Sequence, residues 1–396
     1  MNTPQGYDGH GRDEYGREGQ GRRDEYGRDA YGRDGSDGRY GRQAHRGAIA
    51  VFGAYGHTGV FVVRELRRRG WTPILAGRDR DKLNAVARGQ GGAQDGSGAE
   101  VRVASIAEPA SLAGALEGAV AVVNCAGPFA ATALPLVDAA LRAGIPYLDV
   151  AAEQAVTLET FERRADRARE AGVAVVPSMA FYGGLGDLLA SAAMGDWTDA
   201  DDLTLAISLD SWRPTRGTRE TVRSNAGRHL VFTGNRLVQP TGPAAGGSWE
   251  FPAPLGLQDV TELSTADQVT ISRHLRVPEI RVHMNQAPLR DLSDPTTPPP
   301  APADPDGRSA QTFLVDVVAR RDGVHRRATA SGRDIYAITA PLVVEAAERL
   351  LDGRVQGPTA GVLAPGALFD APDFLRALSP CDLTFTTPDH LAVQGS

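Results

Sequence analysis

Ile49-Ala50-Val51-Phe52-Gly53-Ala54-Tyr55-Gly56-His57-Thr58-Gly59 decides the fold. A short apolar run leads into three glycines spaced by two residues each, and Val60 to Arg69 then reads as a helix. Gly53 permits a tight turn, Gly56 lets the backbone approach a pyrophosphate without a Cβ clash, and Gly59 lets the helix pack closely on the strand. The helix opens with free N–H groups, which favour a phosphate, and Thr58 adds a hydroxyl. A glycine triplet alone says little in a chain with 46 glycines. Its place between a first strand and a first helix gives it weight.

Working outward, Thr72 to Ala76 reads as a second buried strand, followed by a helix over Asp79 to Ala87. Val101 to Ala104, Val120 to Asn124, Pro146 to Val150 and Val173 to Val176 read as further strands. Pro109 to Leu116, Ala131 to Ala143 and Glu153 to Glu170 supply helices among them. Strands alternating with helices of this length predict an α/β domain, a Rossmann-type doubly wound parallel sheet, over residues 47–180.

After Pro177 the rhythm breaks. Gly184 to Ala193 and Thr218 to Ala226 read as helices. Leu203 to Leu209, Val269 to Ser272, Glu279 to Met284, Phe313 to Arg320 and His325 to Ser331 read as strands, with loops over Gln239 to Gly247 and Ala287 to Asp306. Residues 181–336 are therefore expected to form a second, α+β domain with a mainly antiparallel sheet. Residues 337–396 hold a strong amphipathic helix, Thr339 to Leu351, and an irregular tail containing Phe369 and Phe374.

The second strand ends Ala76-Gly77-Arg78-Asp79. A domain selective for NAD has an acid here for the ribose 2′-hydroxyl. Arg78 suits a 2′-phosphate instead, through charge-assisted hydrogen bonds of about 1.5–3 kcal/mol, so the expected cofactor is NADPH. The competing reading pairs Arg78 with Asp79 or Asp81. Lys82, the only lysine, is a second candidate cation. Ser105, after the third strand, is assigned to the cofactor side. At the fourth strand end, Asn124-Cys125-Ala126-Gly127-Pro128-Phe129 offers a rigid turn beside which a nicotinamide can lie. Ala126, Gly127, Pro128 and Phe129 are the candidate contacts, Phe129 packing on the ring. Cys125 reads as a small buried residue rather than a nucleophile.

These segments, together with Tyr147-Leu148-Asp149-Val150-Ala151-Ala152-Glu153, resemble the saccharopine dehydrogenase-like oxidoreductases, in the branch that includes bacterial trans-acting enoyl reductases. Arg216-Gly217-Thr218 and Ala330-Ser331-Gly332-Arg333-Asp334-Ile335-Tyr336 resemble it more loosely. The resemblance covers about residues 47–380. It implies a second domain that lines the substrate cleft and often mediates dimers, a closing helix that returns to the first domain, and reduction or oxidation of C=N, C=C or C=O bonds. The run Met179-Ala180-Phe181-Tyr182-Gly183-Gly184 departs from the family's usual Pro-Ser-Asp turn.

Hydride transfer needs a proton donor in most cases. A Tyr with Lys four residues on is impossible here, because Arg78 lies four residues before the only lysine. The two cysteines are too few for a zinc site built on them, and no metal is expected. Tyr182 is the first candidate donor, against a tyrosine packed at a domain junction. Glu153 and Arg216 are candidate substrate contacts, with Arg219 and Arg223 near the same helix face. His229, His274 and His283 read as structural. The expectation is a reductase of a small unsaturated biosynthetic molecule, with C=C ahead of C=N. An imine reductase or amino-acid-type dehydrogenase and a non-catalytic NADPH-binding regulator remain open.

Residues 1–46 repeat Tyr-Gly-Arg at Tyr15, Tyr26, Tyr31 and Tyr40, and read as a disordered low-complexity tail. Arginines among aromatics can stack on bases, and a scaffold working through this tail is a third class of reading. Acids balance the tail's arginines, however, which removes most attraction to nucleic acid. A net charge of −7, two cysteines and no long apolar run point to a cytoplasmic protein with no membrane span.

Overall fold

The computed structural model describes residues 46–89, 99–224 and 229–388. The Tyr-Gly-Arg repeats lie outside them. The chain begins with the expected alternation: β1 (Ala48–Phe52), α1 (His57–Arg68), β2 (Thr72–Gly77), α2 (Arg80–Gly89), β3 (Glu100–Val103), α3 (Pro109–Leu116), β4 (Ala119–Asn124), α4 (Phe129–Ala143), β5 (Tyr147–Asp149), α5 (Gln154–Glu170) and β6 (Ala174–Val176). β1 and β4 are buried almost throughout, as a sheet covered on both faces requires.

A single π turn (Phe181–Leu185) and α6 (Gly186–Met194) lead into the second part. There follow β7 (Asp202–Leu209), α7 (Arg216–Ser224), β8 (Val231–Thr233), β9 (Arg236–Val238), β10 (Gly246–Phe251), β11 (Gly256–Leu263), α8 (Ala266–Ser272), β12 (Ile280–Asn285), α9 (Gln286–Ser293), β13 (Thr312–Arg321) and β14 (Val324–Arg333). The chain closes with α10 (Thr339–Leu351), β15 (Gly361–Val362), α11 (Pro365–Leu368), α12 (Ala371–Leu378) and β16 (Leu383–Thr386).

The first sheet runs β15-β6-β5-β4-β1-β2-β3, all parallel. The strand order reverses between β1 and β4, and this switch point is where an open α/β sheet binds ligands. The second sheet runs β10-β11-β12-β7-β13-β14-β16, with β8 and β9 attached at β12. It is antiparallel except where β12 meets β7. The closing segment serves both sheets. β15 extends the first, whereas β16 pairs with β14, because Leu383 buries while Thr384 and Thr386 face out.

Two readings of the second part need correction. Val269 to Ser272 lies in α8, not in a strand. Thr265 and Gln268 form a capping box that starts a helix, and this overrides the β-branched run. The expected loop from Ala287 to Asp306 begins inside α9, and β10 begins at Gly246, inside the other expected loop.

The closing helix packs on α1 through both apolar and ionic contacts. Leu342, Val343 and Val344 are fully buried, at about 1.5–3 kcal/mol each. Arg69 pairs with Glu65 at 2.6 Å, Glu345 at 2.5 Å and Glu348 at 2.7 Å, and Trp71 Nε1 donates to Glu348. Arg68, Arg349 and Arg46 are second partners of Glu65, Glu345 and Glu348, so Arg69 is the shared centre of a wider ion-pair network. Among the described residues, no helix is long and apolar enough to cross a membrane.

Candidate functional site

The glycine turn lies between the ends of β2 and β4. Gly53 N–H donates to Ala76 O at 2.8 Å, and Gly56 N–H to Gly53 O at 2.9 Å. Gly53 has φ +85°, and a Cβ there would lie 2.8 Å from the Ala126 backbone. A Cβ on Gly59 would lie 2.3 Å from Gly53 O, so α1 approaches β1 as closely as the spacing predicts. Gly56 caps α1 with no side-chain hydrogen bond, and the first turn of that helix carries no acid. Tyr55, Gly56 and Thr58 are half-buried, and His57, Gly127 and Pro128 are exposed, so the turn reaches solvent. This backbone cradle fits a dinucleotide's pyrophosphate.

At the β2 end Arg78 is exposed. It forms no ion pair with Asp79 or Asp81 among the described residues, because Asp79 pairs with Lys82 at 3.0 Å and caps its N–H. Lys82 also lies 5.7 Å from the centre of the Tyr55 ring. That ring covers Gly77, where a Cβ would meet it at 2.8 Å. Ser105 accepts from Ala107 N–H in the turn after β3, whose Ala104 N–H bonds Gly77 O. Arg78, Lys82, Tyr55 and Ser105 thus surround the end of β2.

At the other side of the switch point, a buried polar network braces the strand ends. Asn124 Oδ1 accepts from Ala126 N–H, while its amide donates to Thr132 and Tyr147. Tyr147 Oη donates to Asp149, which also accepts from Ser178 N–H at 2.7 Å and Ala151 N–H at 3.0 Å. Burial raises the Asp149 carboxyl to about 6, and these donors oppose it. Burial also pushes the Cys125 thiol far up, as expected of an inert core cysteine. Asn124 and Asp149 lie within the strand-end motifs, and sequence reasoning assigns neither a role. Their signal was a polar side chain ending an apolar strand.

Phe129 is displaced from its expected role. Its ring is buried with Ala133, Ala151 and Val156 rather than presented to a planar ligand, and its N–H donates to Glu153. Glu153 is likewise buried, accepting from Ala152 N–H and from Thr221 on α7. Burial raises its pKa. Arg216 points away. Its side chain is 93% exposed and pairs with Glu220. Arg219 donates to the carbonyls of Asp294 and Thr297, and Arg223 is exposed.

Tyr182 follows β6 in the π turn, where Gly183 has φ +97°. Asp267 accepts from Gly183 N–H, and Thr339 Oγ1 accepts from Phe181 N–H. The Tyr182 ring is buried, packed edge-on against Phe181 and tilted on Trp212 at 5.9 Å. Its buried hydroxyl has no hydrogen-bond partner among the described residues. Burial first, then Tyr336 and Asp267, raise its pKa far above the usual phenol range. Tyr182 therefore holds its proton at neutral pH, with no acceptor for it among the described residues.

The histidines divide. His229 is exposed. His274 pairs with the buried Asp187 at 2.6 Å; burial lowers its pKa, but the carboxylate outweighs this and leaves it raised. Burial, then Arg281, lowers the pKa of His283. His57, at the mouth of α1, touches Phe61 and Tyr336 edge-on; partial desolvation lowers its pKa although the residue is exposed.

The comparisons agree with this geometry. The sequence model of the saccharopine dehydrogenase NADP binding domain matches residues 49–176. The human saccharopine dehydrogenase-like oxidoreductase is 32% identical over 149 residues, 34% of each chain. The chain therefore spans about a third of that relative's length. A probable mitochondrial saccharopine dehydrogenase-like oxidoreductase of Arabidopsis thaliana is 27% identical over 253 residues, 57% of this chain and 55% of that one. Saccharopine dehydrogenase (L-Glu forming) from Saccharomyces cerevisiae superposes with a TM-score of 0.57 at 13% identity, over 86% of this chain and 99% of that one, which is a likeness of fold. Residues 49–176 thus match the saccharopine dehydrogenase NADP binding domain, in a chain that resembles the saccharopine dehydrogenase-like oxidoreductases.

Proposed function

We propose that the protein is an NADPH-dependent reductase of a small unsaturated molecule, with a C=C bond favoured over C=N. The observation that carries the reading is the solvent-facing glycine turn at the switch point, with Arg78 free of its neighbouring acids at the rim. Bound NADPH supplies a hydride. The chain supplies the rest. The N–H groups of the turn and the start of α1 bind pyrophosphate, Arg78 reads the 2′-phosphate, and Lys82 adds a weaker attraction because Asp79 already partners it.

Tyr182 Oη is the proposed proton donor. Burial retains its proton, no acceptor lies near it among the described residues, and in this reading a substrate atom would supply one. Glu153 orients the site through Thr221 and the N–H of Phe129; Arg216, paired outward, is left out. The C=C preference rests on the resemblance to the enoyl reductase branch. The same resemblance supports a homodimer, which sedimentation would test. The two free cysteines suit a cytoplasmic setting.

The test offers NADPH deuterated at C4 with three probes: an α,β-unsaturated thioester, a cyclic imine and an α-keto acid. Deuterium on the thioester's β-carbon is the expected result. Deuterium on the imine carbon moves the assignment to C=N. Transfer to none of the three, with tight NADPH binding, favours a regulator.

A further inference from the structure

Two segments that no role has absorbed meet beside the glycine turn. Tyr336 lies in the turn before α10, and its ring stands edge-on to His57 with centres 5.2 Å apart. Its hydroxyl contacts three groups of one segment: Trp212 Nε1 at 3.1 Å, Thr215 N–H at 3.3 Å and Thr218 Oγ1 at 2.9 Å. The first two are donors and fill the phenol's acceptor sites. Its own proton therefore goes to Thr218, whose hydroxyl in turn reaches Thr215 Oγ1 at 3.0 Å. Behind Tyr336, the fully buried Asp334 accepts from the N–H groups of Ser309, Tyr336 and Ala337, which fixes the turn.

Trp212, held by that hydroxyl, is also the ring that tilts on Tyr182. Contacts therefore run from His57, at the first residue of α1, through Tyr336 and Trp212 to the ring of Tyr182. Ring packing alone would allow Phe at 336. A hydroxyl satisfied on every side, each time by residues 212–218, is a specific anchor for that segment.

We infer that Tyr336 is a positioning residue, which fastens the segment Trp212–Thr218 to the phosphate end of the site and thereby sets Trp212 against Tyr182. The inference rests on the proposed NADPH site, since His57 is the link that a bound pyrophosphate would touch.

Hydrogen exchange of the full chain, with and without NADPH, tests it. In the wild type NADPH should slow exchange both in the glycine turn, residues 53–60, and in residues 211–218. In Tyr336→Phe the glycine turn should still respond and residues 211–218 should not. The Thr215 amide should also exchange ~10-fold faster without cofactor, the scale of one lost hydrogen bond. Thr218→Val, which removes the acceptor of the phenol's proton and the hydroxyl contact to Thr215 but keeps the phenol itself, should weaken the same response and decides the matter if the first variant does not fold. An undiminished response of residues 211–218 in these variants overturns the inference. So does a wild type in which only the glycine turn responds. If the glycine turn itself does not respond, the cofactor site is wrong and the inference falls with it.

Discussion

The turn after β1 and the turn after β6 leave the same edge of one sheet, and each bends through a glycine of positive φ, Gly53 at +85° and Gly183 at +97°. They work in opposite ways. The first presents backbone N–H groups, and the parts that shape it, Ala76 and Ala126, lie at the ends of the two flanking strands. The second encloses one buried side chain, Tyr182, and the groups around it come from α8, α10 and the segment before α7. A function carried by backbone is written as spacing. A function carried by a side chain depends on residues tens to hundreds of positions away.

The sharpest break between the two turns is a pair of substitutions. Tyr182→Phe should lower turnover by about 10²-fold or more, the range for losing a general acid, with NADPH affinity within about twofold of wild type. Stopped-flow turnover on the substrate found by deuterium transfer, beside a fluorescence titration of NADPH, separates the two. Unchanged turnover would remove Tyr182 as the donor. Gly59→Ala should do the reverse, because the added methyl meets Gly53 O. Overpacking of this kind costs about 1–3 kcal/mol; if that strain falls on the cofactor-binding form of the turn, NADPH affinity should drop about 5- to 150-fold. Normal affinity would mean that the turn does not grip the cofactor.

This asymmetry explains what could be read from the amino-acid order. The first sheet was legible because its strands are short, apolar and separated by helices of regular period. The role proposed for Arg78 likewise comes from its place at the end of the second strand. The second part was harder. Val269 to Ser272 looks like a strand by residue type, and only the Thr265–Gln268 cap makes it a helix. Phe129 and Arg216 misled for a related reason. An aromatic beside a turn and an arginine on an exposed helix are each common, and what decides their direction is burial against Ala133 and Val156 in one case and Glu220 in the other. Tyr336 and Trp212 lie 124 residues apart, and no periodicity joins them.

Asp149 sharpens the comparison from the side of the sheet. Its folded pKa, about 6, lies above its ordinary value of 3.8. The folded state therefore holds this proton to higher pH than the unfolded chain does. The stability it contributes is complete below about pH 4 and is lost as pH rises through about 6, on the order of 2–3 kcal/mol. Asp149→Asn keeps an oxygen for Ser178 and Ala151 N–H and cannot titrate. The difference between the two chemical-denaturation curves should thus change across pH 4–6 and be flat above 7. A constant difference would mean that the carboxyl titrates normally. The smallest effect is expected at Arg216→Ala, where stability and NADPH affinity should stay within about 0.5 kcal/mol of wild type. A larger loss would return this arginine to the site.

The most direct measurement is a binding titration of NADPH and NADH against the wild type and Arg78→Ala. The wild type should prefer NADPH by about 10-fold or more, on the scale of charge-assisted hydrogen bonds, and the variant should bind both alike while keeping its affinity for NADH. A variant that keeps the preference, or a wild type that binds neither cofactor, would contradict the account.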